Sequence, residues 1–205
     1  HLIAPAPGTI FGSYRIERVI GQGGFGVVYE CHELELGRSI AVKMLNPTVN
    51  TDRELRRFLA EGRNLASLNH PNVVHIYRLG KHEGRPYIAM ELVRGRTLRQ
   101  VLAAERLSAR RGLELMRQVA SGLADIHHMG ILHRDLSPNN VVITESGPAK
   151  ILDFGFSKDM SMLTSPDSRE MLVGTLAYVA PEQIDGQGNS VRSEVFSFGV
   201  ILYEV

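Results

Sequence analysis

The residues His133-Arg134-Asp135-Leu136-Ser137-Pro138-Asn139-Asn140, followed thirteen positions after Asn140 by Asp153-Phe154-Gly155, put one candidate base and two metal-capable side chains on neighbouring loops. Asp135 is a carboxylate that can accept the proton of an incoming hydroxyl. Asn140 and Asp153 offer the hard oxygen ligands that Mg²⁺ takes when it is shared with phosphate groups. Between them, residues 141–144, 145–148 and 149–152 read as strand, turn and strand, so a hairpin brings the two ends of the segment together.

A second chemical signal lies upstream. Gly21-Gln22-Gly23-Gly24-Phe25-Gly26 sits between two strand-like runs, Tyr14 to Ile20 and Val27-Val28-Tyr29. A dinucleotide fingerprint needs a helix after such glycines and an acidic residue about twenty positions on. Here β-branched residues follow, and Ala41-Val42-Lys43 occupies that region, so the dinucleotide reading fails. What remains is a glycine-rich hairpin, or a phosphate-binding turn if Lys43 faces it.

Taken together, these residues resemble the protein kinase family, whose glycine-rich loop, V-A-I-K strand, H-R-D-x-x-x-x-N loop and D-F-G occur in this order. The resemblance covers Tyr14 to Val205 and is closest to bacterial, eukaryotic-like serine/threonine kinases. It implies an α+β, bilobal fold: an antiparallel N-lobe sheet with helix C, and a mainly helical C-lobe lacking its last helices. Expected boundaries are a linker over 1–13, an N-lobe and hinge over 14–93, and an incomplete C-lobe over 94–205.

The resemblance also assigns roles. ATP and Mg²⁺ are the implied cofactors. Gly21, Gly23, Gly26 and Lys43 would hold phosphates; Val28, Ala41 and Val142 would sandwich adenine. Met90 would be the gatekeeper, with the backbone of Glu91 and Val93 reading the base. Asp135 would be the catalytic base, and Asn140 and Asp153 the metal ligands. Thr175, in Gly174-Thr175, would hydrogen-bond the catalytic Asp.

The elements that position these residues show in the pattern. Thr51-Asp52-Arg53-Glu54 has the form of a capping box, and Leu55, Phe58, Leu59, Gly62, Leu65 and Leu68 recur at helical spacing. Glu61 falls on that apolar face, where a carboxylate needs a partner; by resemblance the partner is Lys43, and Leu65, His133 and Phe154 would form the family's regulatory spine. Val73 to Leu79 and Pro86 to Val93 read as two strands about a turn at Gly84. Ser108 caps a helix running toward His127 with Leu113, Met116, Val119, Leu123 and Ile126 as its buried stripe, and Phe196 to Leu202 reads as a mostly apolar helix. His127, His128 and His133 lack a completing ligand set for zinc; His133 is expected to be a buried imidazole donating to backbone.

Composition narrows the class. The chain has 205 residues, 43% hydrophobic, with 23 basic and 22 acidic side chains. That length supports a substantial core, and the balanced charge gives no electrostatic case for nucleic acid. Cys31 is the only cysteine, so no internal disulfide forms, and its expected role is that of a small buried apolar residue. No apolar run reaches the ~20 residues of a membrane helix. A cytoplasmic setting follows, including that of the intracellular part of a longer protein.

Two departures from the family pattern matter. The lysine usually found two positions after the catalytic Asp is Ser137 here, which removes a cation from the γ-phosphate. Glu194 stands where the family carries an Asp that anchors the catalytic loop backbone. Residues 156–179, ending at Ala180-Pro181-Glu182, correspond to the activation segment, where Ser161, Thr164, Ser165 and Ser168 are candidate autophosphorylation sites and Arg134 could clamp the phosphate. The expected activity is therefore transfer of the ATP γ-phosphate to Ser/Thr of protein substrates. The alternatives are a pseudokinase or scaffold that binds nucleotide but transfers poorly, and a small-molecule phosphotransferase, which Arg134 and Ala180-Pro181-Glu182 disfavour.

Overall fold

Strand alternation sends Val27, Tyr29 and Cys31 to one side of a pleated strand and Val28 to the other, and the structure is built on that division. A computed structural model describes residues 5–23, 26–45, 62–152 and 176–205. The chain divides into two units: His1–Ser67 with His75–Val93, and Leu68–Val74 with Arg94–Val205.

The first unit carries an antiparallel sheet in the order β1-β2-β3-β4-β6-β5. Its strands are β1 (Ile10–Phe11), β2 (Tyr14–Gly23), β3 (Gly26–Glu33), β4 (Arg38–Leu45), β5 (Ile76–His82) and β6 (Arg85–Glu91). Phe11, Tyr14, Ile16, Val27, Tyr29, Cys31, Ile40, Val42, Met44, Tyr87 and Ala89 form one buried cluster on a single face. Phe11, Tyr14 and Tyr87 meet there with ring centroids 5.4 to 5.8 Å apart, two of the three pairs edge-on. The expected linker over 1–13 is thus too long. Ile10–Phe11 pairs with β2, and Phe11 is only 2% exposed, because an aromatic residue opposite Tyr14 gains more from the core than from solvent.

Of the helix expected from Thr51 through Leu68, 62–68 lie within the described residues; 62–66 are helical, with Leu65 buried, and the helix ends before Leu68. The strand expected over Val73 to Leu79 begins instead at Ile76. Val73 makes a parallel bridge to Ile151, and the Val74 N–H donates to the Ile151 carbonyl at 2.9 Å, so residues 68–74 belong to the second unit. Their backbone is satisfied there rather than in the first sheet.

The second unit contains a small antiparallel sheet, β7 (Gly95–Thr97), β8 (Val141–Thr144) and β9 (Ala149–Ile151), in that order. Its helices are α1 (Leu98–Ala104), α2 (Ala109–His128), α3 (Pro181–Ile184) and α4 (Val191–Glu204). Ser108 caps α2 by accepting from the Arg111 N–H at 3.3 Å. The buried stripe runs Gly112, Leu115, Met116, Val119, Gly122, Leu123, Ile126. Leu113 departs from expectation at 62% exposed, since a turn of about 100° per residue carries it well off the axis of that stripe. Gly122 marks a close approach: a Cβ there would stand 2.9 Å from Val73 Cγ2 and 3.1 Å from Ile151 Cδ1. Asn72 and Gln118 complete this contact, Asn72 Nδ2 donating to the Ala149 carbonyl at 2.7 Å and Gln118 Oε1 accepting from the Ala149 N–H at 2.7 Å.

Helix α4 is turned against its composition. Its buried residues are Ser193, Glu194, Ser197 and Ile201, whereas Val195, Phe196, Leu202 and Tyr203 are exposed. The polar side faces inward because it has bonds to make. No helix among the described residues is long and apolar enough to cross a membrane.

Candidate active site

The register of the first sheet decides which side chains share a face. Val28 pairs with Lys43, Ala41 with Met90, and Lys43 with Ile88. Val28, Ala41, Lys43 and Met90 therefore lie together on the face opposite the aromatic and aliphatic cluster. Ala41 is buried, while Val28, Lys43 and Met90 are half-buried. At the end of β6 the Glu91 N–H donates to the His75 carbonyl at 2.9 Å, and Glu91 Oε2 accepts from the His75 N–H at 3.3 Å. Val93 follows, half-buried.

Gly21, Gly23 and Gly26 lie at the facing ends of β2 and β3, where Gly23 pairs with Gly26 and Gly21 with Val28. Of Gly21 and Gly26, the second has a steric reason visible in the fold. A Cβ on Gly26 would come within 2.2 Å of the Met44 carbonyl oxygen. On Gly21 it would meet nothing closer than Val28 Cβ at 3.7 Å, an ordinary contact. Packing does not require Gly21 to be glycine.

In the second unit the catalytic-loop residues form one bonded assembly. His133 is fully buried; its Nε2 lies 2.7 Å from the Leu152 carbonyl, and its Nδ1 accepts from the Asp135 N–H at 3.2 Å. A carbonyl only accepts, so Nε2 carries the proton and the ring is the neutral Nε2–H tautomer. That imidazole holds the loop against the residue that precedes Asp153.

Asn140 Nδ2 donates to the Asp135 carbonyl at 2.7 Å and to Asp135 Oδ2 at 3.1 Å. Both partners are acceptors, which fixes the amide orientation and turns Oδ1, the hard donor, away from them. The Asn140 N–H donates to the Ser137 carbonyl at 3.0 Å, and the Asn140 carbonyl accepts from the Leu152 N–H at 2.8 Å. Asp135 and Asn140 are thus a directly bonded pair at the mouth of the hairpin β8–β9. Val142 on β8 is 5% exposed, and Ser137 is 3% exposed.

Arg134 has φ +64°, a left-handed conformation that costs a non-glycine residue about 1–3 kcal/mol unless its surroundings hold it. Glu194 supplies the hold. Its Oε1 accepts from the Arg134 N–H at 2.7 Å, and its Oε2 lies 2.6 Å from His127 Nε2. The extra methylene relative to the aspartate of the family pattern is accommodated, with the carboxylate 4% exposed and bound from both sides.

Thirteen of the sixteen predicted site residues lie among the described ones. Gly21, Gly23, Gly26, Val28, Ala41, Lys43, Met90, Glu91 and Val93 are in the first unit, and Asp135, Ser137, Asn140 and Val142 in the second. Glu61, Asp153 and Thr175 lie outside the described residues, as do Phe154, Ser161, Thr164, Ser165 and Ser168. Sequence reasoning missed three participants: His127, whose partner is 67 positions away, and Arg99 with Tyr178, which meet at Glu204. Their partners share no period or motif that a linear reading would join.

Residues 14–205 match the model of the protein kinase domain family. The chain is 42% identical over 205 residues to serine/threonine-protein kinase PknA of Mycobacterium tuberculosis (strain ATCC 25618 / H37Rv), covering 96% of this chain and 47% of PknA. It is 37% identical over 198 residues to serine/threonine-protein kinase PrkC of Bacillus subtilis (strain 168), covering 96% of this chain and 30% of PrkC. It therefore spans less than half the length of either curated relative. Among solved structures, the apo form of PpkA-294 matches with a TM-score of 0.80 at 28% identity, covering 98% of this chain and 77% of that one. The kinase domain of Mycobacterium tuberculosis PknI matches with a TM-score of 0.78 at 28% identity, covering 97% and 76%. The bonded Asp135–Asn140 loop, the strand lysine and a family match running from Tyr14 to Val205 agree: the chain belongs to the protein kinase domain family.

Proposed function

We propose that this chain transfers the γ-phosphate of ATP to serine and threonine hydroxyls of proteins. The observation that carries the reading is the pair of hydrogen bonds from Asn140 to Asp135, which fixes a base and a metal-ligand amide in one unit. In phosphoryl transfer the protein contributes position and charge neutralisation rather than covalent chemistry. Asp135 orients the substrate hydroxyl and accepts its proton. Lys43 and the backbone at Gly21, Gly23 and Gly26 hold the phosphates, Val28, Ala41 and Val142 contact adenine, and Met90, Glu91 and Val93 frame it. Glu61 orients Lys43, and Thr175 supports Asp135.

Mg²⁺ fits the donor set, since Asn140 Oδ1 and the Asp153 carboxylate are hard oxygens; when bound it neutralises charge on the phosphate oxygens. The names of PknA and PrkC as serine/threonine kinases support the choice of acceptor. Ser137 leaves the loop without the γ-phosphate cation of the family pattern, and the proposal assigns that neutralisation to the metal.

Transfer of labelled γ-phosphate to a Thr-containing protein tests the proposal. Asp135→Asn should lower kcat by about 10²–10⁴ while ATP still raises Tm. A variant with wild-type kcat would remove Asp135 as the base, and a wild-type chain without Mg²⁺-dependent transfer would remove the activity.

A further inference from the structure

We propose that Gly62 is a positioning residue for Lys43. Its missing side chain lets the helical segment 62–66 seat directly on Leu79, in the cross-strand row that carries Lys43, and this seat sets how close the helix brings Glu61 to that lysine. The inference rests on the kinase reading, in which Glu61 orients Lys43, and adds a residue to it. Register makes the row. Leu79 on β5 pairs with Ile88 on β6, Ile88 with Lys43 on β4, and Lys43 with Val28 on β3. Residues directly opposite each other in antiparallel strands share a face, so Leu79, Ile88, Lys43 and Val28 stand in one line on one side of the sheet. Two strand spacings, about 10 Å, separate Leu79 from Lys43.

Gly62 meets the end of that line. It is buried, and a Cβ built on it would overlap Leu79 Cδ2 and stand 3.1 Å from Cδ1 and 3.3 Å from Cγ. Ile88, between Leu79 and Lys43, is buried, as is Leu65 one turn after Gly62. The helix backbone therefore lies against Leu79 with no side chain between them. The residue before Gly62 in the chain is Glu61.

Helix stability does not account for the glycine. Gly62 is helical and its φ lies outside the left-handed region, so alanine could adopt the same backbone. Alanine would also favour the helix more. Close approach is the remaining reason. Turning Leu79 about its Cβ–Cγ bond moves Cδ2 aside but leaves Cγ at 3.3 Å, still tight, so an added methyl lifts the helix from the sheet. A lysine and a carboxylate carried on separate elements lose their alignment when one element moves, and small misplacements at a reacting centre are costly.

Steady-state kinetics on the full chain, with Mg²⁺, ATP and a Thr-containing peptide, read beside Tm, test the proposal. Gly62→Ala should lower kcat by about tenfold or more while Tm stays level or rises, a split that a purely structural glycine would not give. Adding Leu79→Ala removes all three atoms that the new methyl meets. The double variant should recover kcat to within about threefold of the wild type even though its Tm is lower. Undiminished kcat in Gly62→Ala would overturn the proposal, as would a loss that follows Tm downward or that Leu79→Ala does not reverse. If the wild-type chain transfers no phosphate, or Glu61→Gln keeps wild-type kcat, the underlying reading falls and this inference with it. An impaired Glu61→Gln beside an indifferent Gly62→Ala overturns the inference alone.

Discussion

The Glu194 carboxylate accepts a hydrogen bond from the Arg134 N–H at 2.7 Å, joining a helix to a loop residue that stands in a left-handed conformation sixty positions earlier. The bond and the conformation depend on each other. Without the acceptor, a buried N–H would be orphaned at the point where the backbone is least comfortable.

Replacing Glu194 by Ala should therefore cost about 3 kcal/mol, since it removes a buried, doubly bonded carboxylate and leaves His127 facing a void. Urea denaturation measures this. Glu194→Asp should fall between the two, because a side chain one methylene shorter can keep one of its two partners at bonding distance but not both. An alanine variant as stable as the wild type would mean that the loop holds its own shape.

Ser137 is 3% exposed, which bears on the cation missing from the loop. A lysine introduced there must push its stem through packed surroundings, and overpacking of this kind costs about 1–3 kcal/mol. Ser137→Lys should lower Tm and give no increase in kcat. A tenfold gain, about 1.4 kcal/mol in barrier, would show instead that the loop accepts the lysine and that its absence limits the rate.

The glycine-rich turn can be dissected with two substitutions. Gly26→Ala places a methyl within 2.2 Å of the Met44 carbonyl and should destabilise the chain by about 2 kcal/mol. Gly21→Ala meets only Val28 and should change stability by less than about 0.5 kcal/mol while raising the ATP KM. Equal effects of the two on stability would overturn the distinction.

Burial raises the thiol of Cys31 to about 12 from an ordinary 9.0, with Glu17 and Glu30 adding to the rise. The folded chain thus keeps a proton that the unfolded chain gives up. Stability from this source is complete below pH 9 and is lost as pH rises toward 12, at up to about 1.4 kcal/mol per pH unit. Tyr14 and Tyr29, both raised chiefly by burial, act in the same sense above pH 10. Measured between pH 8 and 10, denaturation midpoints should fall for the wild type and stay nearly flat for Cys31→Val. Alkylation of Cys31 in the folded state should be slow across the same range.

The parts legible in the sequence were those written in short-range signals. Strand alternation around Val28 and Lys43, the Ser108 cap and the spacing of His133, Asp135 and Asn140 each depend on residues a few positions apart. What escaped was set by partners distant in the chain. Phe11 belongs to the sheet because Tyr14 and Tyr87 enclose it, although Pro5, Pro7 and Gly8 beside it read as linker. Val73 leaves its expected strand because Ile151 offers a better backbone partner. Helix α4 reads as apolar, yet it buries Ser193, Glu194 and Ser197, since Arg134, His127 and Tyr178 all need acceptors or donors from that side.

The detour of residues 68–74 limits how this protein can be cut and recombined. A chimera joined at Val93 and Arg94 would transplant, along with the sheet, a seven-residue staple fitted to a foreign host. Asn72 would arrive seeking the carbonyl of Ala149 and the amide of Gln118, and Val73 would seek a helix with no side chain at position 122. Recombinants that exchange 68–74 together with 94–205, as two crossovers rather than one, keep those fittings with their own parent. Inheritance in this fold follows the contact, and the contact is not contiguous in the gene.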